Sequence, residues 1–294
     1  MTSAIVMHGL SKDYGSGHGL FDLDLEVAEG EVFGFLGPNG AGKTTTIRLL
    51  MGLIHASAGT ATVFGLDCDR DSVAVKREVG YLPGELPQFG GMRGSEVVAY
   101  LGGMRGAIDR ARVTEIAERL ELDLGRRFRE YSRGNKQKLG LVLAFMHRPR
   151  LLILDEPTSG LDPLNQQTFH HMVGEVSAAG ATVFLSSHVL SEVEETCSRV
   201  GIIRDGRLVS DMTMDKVHEL RYHEVVIDFS GDVPDAAVRA AAGVEDVAVD
   251  ARRLTCTVHG GFDGLLAAIS GHPVADMISR EPSLESIFLS YYRK

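Results

Sequence analysis

Along the first two-thirds of the chain, short apolar runs alternate with stretches whose apolar residues recur at helical spacing. This is the pattern of an α/β domain with a largely parallel sheet. Residues 31–36 read as a strand, followed by a glycine-rich turn and a helix over about 43–53; residues 79–82 read as another short strand. From about 94 to 146 the strand signals disappear, while Val97, Val98 and Leu101, and then Val113, Ile116, Ala117 and Leu120, repeat at helical intervals. That stretch is expected to be a helical insertion. Strand patterning resumes at 151–154, 182–185 and 200–203, and Asp205-Gly206 marks a tight hairpin turn into Leu208 and Val209.

Beyond about residue 214 the order changes to strand (224–229), helix (234–242), strand (244–249), strand (254–258), helix (262–270) and strand (274–279). This is the split βαβ order of a small α+β, ferredoxin-like unit. A closing amphipathic helix is expected over 284–292. The pattern places a domain boundary near residue 216, giving domains 1–215 and 216–294, with a helical subdomain over about 85–148 inside the first.

Composition narrows the function. Hydrophobic residues at 44% and charged residues at 24% are ordinary for a globular protein. A formal net charge of -10 argues against a general polyanion binder, so no nucleic-acid partner is expected. Cys68, Cys197 and Cys256 are odd in number and widely spaced with no CxxC pair, which suggests neither a disulfide framework nor a zinc site. Reduced thiols fit a cytosolic setting. The start of the sequence lacks the features of a signal peptide, and no run of about 18 apolar residues is present to span a bilayer. Any membrane role is therefore expected to come from a partner.

The chemistry begins at Gly37-Pro38-Asn39-Gly40-Ala41-Gly42-Lys43-Thr44, which fits G-x-x-x-x-G-K-S/T between an expected strand and an expected helix. Glycines let backbone amides turn toward an anion, the helix N-terminus adds its positive dipole end, and Lys43 reaches the β and γ phosphates. Thr44 is suited to ligate magnesium, and the adjoining Thr45 is counted with the nucleotide-binding residues. The apolar strand 151–154 runs into Asp155 and Glu156. Strand C-terminal ends are where α/β sheets place ligands. Asp155 is suited to the magnesium shell and Glu156 to polarising an attacking water. The expected fold is therefore a P-loop NTPase, a RecA-like core with a helical insertion, plus the small C-terminal unit.

What surrounds these motifs resembles the ATPases of ABC transporters. Asp155-Glu-Pro-Thr-Ser-Gly-Leu-Asp162-Pro163 looks like the family's Walker B running into its D-loop, and Ser186-Ser-His188 like its switch histidine. Tyr131-Ser132-Arg-Gly134-Asn-Lys-Gln-Lys138 stands where the LSGGQ signature stands, and Tyr14 matches the aromatic residue that stacks on adenine. The resemblance covers roughly residues 4–215, in the family's order and spacing. It implies that ATP is bound with magnesium and hydrolysed, and that Asp162 is part of the nucleotide site. It further implies that the Ser132 hydroxyl and Gly134 amide cap the γ-phosphate of a second copy in an ATP-sandwiched dimer. His188 is expected to bond the γ-phosphate and keep the attacking water oriented.

Two positions depart from the pattern. Gly84 stands where the family carries a glutamine meeting magnesium and the attacking water; Glu85, Gln88 or water are the candidates to replace it. Arg133 replaces the first signature glycine and either reaches phosphate across the dimer or faces solvent. Lys43, Asp155, Glu156 and His188 are all retained, so an active ATPase is expected.

The C-terminal extension, which closes with Glu281-Pro-Ser-Leu-Glu-Ser-Ile-Phe-Leu289, resembles the tails of ATPases from ABC-2 type exporters, drug-efflux systems among them. The resemblance thus implies an ATPase energising export through separate integral membrane permease subunits, held peripherally on the cytoplasmic face of the cell membrane. Rival readings are a soluble ABC ATPase acting on ribosomes or DNA and a small-molecule P-loop kinase; the single cassette and acidic charge count against the first, and the second anion site at Ser132 and Gly134 against the second. Leu86, Phe89 and Met92 lie in a loop rich in proline and glycine, and residues 85–100 are expected to form the docking surface for the permease.

Overall fold

The computed structural model describes residues 2–106, 109–219 and 222–280, so the helix expected over 284–292 lies outside the described residues. By internal contacts the chain divides into two units, Met1–Thr213 and Met214–Lys294.

The first unit opens with an antiparallel hairpin, β1 (Ser3–Asp13) and β2 (Gly19–Ala28). Along β2, Leu23, Leu25 and Val27 are buried while Asp22, Asp24 and Glu26 face out, the alternation of a sheet with one covered face. Next come β3 (Val32–Leu36), α1 (Lys43–Leu50), β4 (Ala58–Val63), β5 (Leu66–Asp67), α2 (Ser72–Glu78) and β6 (Val79–Leu82). The insertion follows as α3 (Gly94–Gly103), α4 (Arg110–Arg119) and α5 (Arg133–Phe145), with a 3-10 turn at Phe128–Glu130. The unit ends with β7 (Leu151–Asp155), α6 (Pro163–Ala178), β8 (Thr182–Ser187), α7 (Leu190–Thr196), β9 (Arg199–Arg204) and β10 (Arg207–Thr213).

These strands form two sheets, an antiparallel one in the order β2-β1-β4-β5 and a six-stranded one in the order β10-β9-β3-β8-β7-β6. In the larger sheet β9, β3, β8, β7 and β6 pair in parallel, and only the edge strand β10 is antiparallel. Asp205 and Gly206 turn the β9–β10 hairpin with φ of 49° and 74°, the paired positive angles that its tight turn demands. Every residue of β3, β7 and β8 is buried, because the central strands of a parallel sheet are covered on both faces. The Phe184 ring stacks on Phe33 at 5.7 Å and leans on Phe35 at 5.4 Å. One core joins these rings with Ile5 and Leu25 of the antiparallel sheet, Ile47 and Leu50 of α1, and Ile153 of β7. Truncating a fully buried phenylalanine of this kind costs about 3–5 kcal/mol, and that packing keeps the ends of β3, β7 and β8 in fixed register.

The insertion is tied to the rest of the unit by a bidentate pair: Arg119 of α4 donates to both carboxylate oxygens of Glu175 on α6, at 2.7 and 2.8 Å. Its loop side carries the apolar residues of the expected docking surface. Leu86, Phe89 and Met92 are half-buried. The Phe89 ring meets buried Phe128 edge-on at 5.2 Å, and Leu86 lies against α5 at Gly140. Leu86 and Phe89 thus pack in part on their own subdomain and stay in part at the surface.

The second unit holds α8 (Met214–Glu219), β11 (Tyr222–Phe229), α9 (Asp235–Arg239), β12 (Val244–Asp250), β13 (Arg253–His259), α10 (Asp263–Ile269) and β14 (Val274–Arg280). Its sheet runs β12-β13-β11-β14 with every pair antiparallel, which is the ferredoxin-like arrangement. Val225, Ile227 and Phe229 of β11, with Leu254 and Val258 of β13, form a core with Val238 of α9 and Leu265 and Ile269 of α10.

Candidate functional site

The site sits at the C-terminal ends of β3, β7 and β8. After Leu36 the chain turns through residues 37–42 into α1, and Gly42, at φ 112°, caps that helix in a conformation that side chains disfavour. Gly37 has a different reason: a Cβ there would stand 2.3 Å from the Ile203 carbonyl oxygen. The loop thus delivers the first turn of α1, whose amides have no partner within the helix, to the edge of the sheet. Lys43 leads that helix and is only 5% exposed. Its Nζ donates to the carbonyls of Gly37 at 2.5 Å and Pro38 at 3.2 Å, and lies 3.1 Å from Glu156 Oε1.

Asp155, the last residue of β7, is 1% exposed with both carboxylate oxygens engaged. The exposed Thr44 hydroxyl donates to Oδ2 at 2.8 Å and buried Ser186 to Oδ1 at 2.6 Å. Glu156 follows at φ 51°, a left-handed conformation that a non-glycine residue holds only where neighbours fix it. Here its amide donates to Ser186 Oγ at 3.0 Å, while Gln137 Nε2 of α5 donates to its carbonyl at 3.0 Å. Its side chain is thereby aimed between two cationic or potentially cationic groups, with Lys43 at Oε1 and His188 Nδ1 2.6 Å from Oε2.

Of the residues singled out from sequence, Lys43, Thr44, Asp155, Glu156 and His188 therefore meet in one place. Among the described residues, Tyr14, Ser132 and Asp162 share no hydrogen bond or ion pair with that cluster. Tyr14 lies just past β1, 54% exposed, with Lys12 Nζ 5.7 Å from its ring centroid. Ser132 caps α5, its hydroxyl accepting the Asn135 amide at 3.2 Å. Asp162 caps α6 by accepting the Asn165 amide at 3.0 Å and its side chain at 2.7 Å, and these bonds, the backbone one foremost, hold its carboxyl below the usual range. Gly134 packs against Gly160, where a Cβ on Gly134 would lie 2.7 Å from the carbonyl oxygen.

Sequence reasoning assigned no role to Ser186 or Gln137. Ser186 is paired with Asp155 across the parallel ends of β7 and β8, so its hydroxyl sits beside the carboxylate, a register that only the structure supplies. Gln137 is buried at the second turn of α5 and has no local signal either.

The arrangement can do two things chemically. The loop and Lys43 present donors and positive charge to an anion, and Thr44 with Asp155 offers two hard oxygen donors in direct contact, a set that suits magnesium. A carboxylate beside an imidazole, at the mouth of that anion site, can orient and deprotonate a water.

Comparison with known proteins agrees with this chemistry. The family model described as "ABC transporter" matches residues 20–159. The daunorubicin resistance ATP-binding protein DrrA3 of Streptomyces coeruleorubidus is 33% identical over 98% of this chain and 95% of its own length. The bacitracin transport ATP-binding protein BcrA of Bacillus licheniformis is 36% identical over 73% of this chain and 71% of its own. Among solved structures, an ATP-binding subunit of an ABC transporter superposes with a TM-score of 0.68 at 28% identity, covering 73% of this chain and 92% of that one. A dimeric ATP-binding cassette bound to ADP and Pi shares the fold with a TM-score of 0.63 at 21% identity, covering 71% of this chain and 98% of that one. The expected P-loop fold and transporter kinship both hold, and the chain belongs to the ABC transporter family as one of its ATP-binding, ATP-hydrolysing subunits.

Proposed function

We propose that Lys43, Glu156 and His188 carry out hydrolysis, with the Lys43–Glu156–His188 contact as the observation that carries the reading. The Lys43 charge is shared between Glu156 and the carbonyls of its own loop. A triphosphate competes for Lys43, drawing it off Glu156 and leaving that carboxylate to accept a proton from water; His188 then orients the γ-phosphate and the water. Residues 37–45 hold the phosphates and Tyr14 stacks on the adenine. Thr44 and Asp155 would hold magnesium, which supplies charge neutralisation on the phosphates when bound. Phosphate oxygens and water would supply the remaining donors, since magnesium commonly keeps several waters. Ser132 and Gly134 are assigned to a γ-phosphate site offered to a second copy, so that two chains bury two nucleotides, and Asp162 is counted with the nucleotide-binding residues. The ATPase domain is taken as about 1–215 and the extension as 216–294, which the division at Thr213 and Met214 supports.

The transport direction is export, supported by the resistance and transport proteins among the relatives. No described helix is long and apolar enough to cross a membrane; a separate integral membrane permease supplies the path, and this chain is held by it on the cytoplasmic face. The permease docks at a cleft of about 980 Å³ between α2, the end of α3 and the end of α5, which continues the 85–100 surface along α3. Val73 and Met104 on its lining are 67% and 66% exposed, and Lys76, Arg77 and Arg105 surround them. Co-purification in detergent tests this reading directly. Met104→Glu is expected to lose the integral membrane partner while the isolated subunit keeps its basal ATPase activity. A membrane partner retained with unchanged affinity contradicts the docking site, and a wild-type chain that co-purifies with ribosomes or DNA contradicts the transport reading.

Gly84 gives a second test. A Cβ at this position would stand 3.1 Å from Asp155 Oδ2, so any side chain placed here borders the proposed magnesium site. Gly84→Gln is therefore expected to lower, by several-fold, the magnesium concentration giving half-maximal hydrolysis. An unchanged magnesium dependence shows that Glu85, Gln88 or water already fills that position.

A further inference from the structure

The first two turns of α5 touch the loop that begins at Glu156 in three places. Gln137 Nε2 donates to the carbonyls of Glu156 at 3.0 Å and Pro157 at 2.9 Å. Gly134 lies against Gly160 so closely that a Cβ on it would meet the Gly160 carbonyl oxygen at 2.7 Å. The third contact belongs to the residue that departs from the signature pattern. Arg133 Nη2 donates to Ser159 Oγ at 2.8 Å, and its side chain runs along Gly160, where a Cβ would lie 3.4 Å from Arg133 Cγ. Arg133 is exposed, as the solvent-facing reading has it, and its guanidinium also bonds its own chain at Ser159.

From Ser159 the path to the reacting carboxylate is short. The Ser159 amide donates to the Glu156 carbonyl at 3.1 Å, the same oxygen that accepts Gln137. Glu156 therefore keeps its left-handed backbone through bonds at both ends of one tight turn, with Ser186 on its amide and Ser159 and Gln137 on its carbonyl. Such a conformation at a non-glycine residue persists only when its surroundings fix it.

We propose that Arg133 is a positioning residue for hydrolysis, which clamps Ser159 from the α5 side and so fixes the turn that aims Glu156. The proposal rests on the reading of Glu156 as the base. A glycine at position 133 has no side chain to make this bond, so the clamp is a feature of this chain's own sequence. Because Arg133 works through Ser159, the two residues form one unit and their losses are not independent.

The test is a double-mutant cycle on steady-state ATP hydrolysis with Arg133→Ala, Ser159→Ala, the double variant and Ser159→Thr. Each alanine variant is expected to lower kcat by roughly three- to tenfold with KM for ATP little changed, the scale of one exposed hydrogen bond from a charged donor. The double variant is expected to be no slower than the worse single one, and Ser159→Thr, which keeps the acceptor oxygen, to match wild type. Losses that multiply in the double variant overturn the clamp, as does a wild-type kcat in either alanine variant. A raised KM in Arg133→Ala with Ser159→Ala silent overturns it too, because Arg133 then acts on a phosphate instead. Glu156→Gln measured alongside separates the two readings: if it abolishes turnover while the cycle shows independent losses, the base assignment stands and only the clamp falls.

Discussion

Glu156→Gln is expected to keep ATP binding and to lose turnover by roughly two to three orders of magnitude, the scale set by removing a general base. The amide keeps the size and planarity of the carboxylate, so the turn fixed by Ser186 and Gln137 remains. What disappears is the capacity to accept a proton, together with the 3.1 Å ion pair that holds Lys43. Losing that pair removes a competitor for the phosphates, so ATP affinity is expected to be unchanged or higher. The variant then accumulates with ATP and magnesium as a dimer on sizing chromatography. A variant that turns over at the wild-type rate contradicts the base assignment, and one that binds ATP yet stays monomeric contradicts the nucleotide sandwich.

Lys43→Ala is expected to weaken ATP binding by two to three orders of magnitude, about what truncating one side of a buried, hydrogen-bonded charge pair costs. Two causes add. The β and γ phosphates lose their cation, and Glu156, only 21% exposed, is left facing the phosphate site without a positive neighbour on Oε1. The second cause gives a distinguishing sign: in Lys43→Ala, replacing Glu156 by Gln as well is expected to restore part of the binding, because it removes the uncompensated charge. Titration with a fluorescent nucleotide reads both effects. Near-normal affinity in the single variant rules out Lys43 as the phosphate cation.

How much of this was legible in the sequence depended on how local each constraint was. The phosphate loop could be read because its glycines and Lys43 answer to demands within eight consecutive residues. The parallel strands could be read because full burial writes uninterrupted apolar runs such as residues 151–154. The antiparallel sheet was missed. In β2 the alternation of Leu23, Leu25 and Val27 with Asp24 and Glu26 was available. Its partner β1, however, changes register three times along the pairing and bends at Gly9 with φ 54°, so no continuous period of two exists to support it. β4 (Ala58–Val63) is small and mostly polar or exposed, which gives hydrophobic patterning little to register.

In the site, the residues proposed to react were legible and those that aim them were not. Ser186 reaches Asp155 across 31 positions of sequence, Arg133 reaches Ser159 across 26, and Gln137 reaches Glu156 across 19. Each contact depends on how helices and strands come together, not on neighbouring residue types. The same limit hides the edge-on contact of Phe89 with Phe128, far along the chain.

Mixing two inactive variants tests the central claim most directly. Lys43→Ala disables the phosphate loop of its own chain. Ser132→Asp keeps a good cap for α5 while placing a carboxylate where the γ-phosphate of the other copy is assigned. If each working site takes its loop from one chain and Ser132 from the other, a mixed pair contains one site with both parts intact. ATP hydrolysis is therefore expected to reappear when the two purified variants are combined with ATP and magnesium. Activity in the mixture that stays at the sum of the two separate residual rates would contradict the shared site.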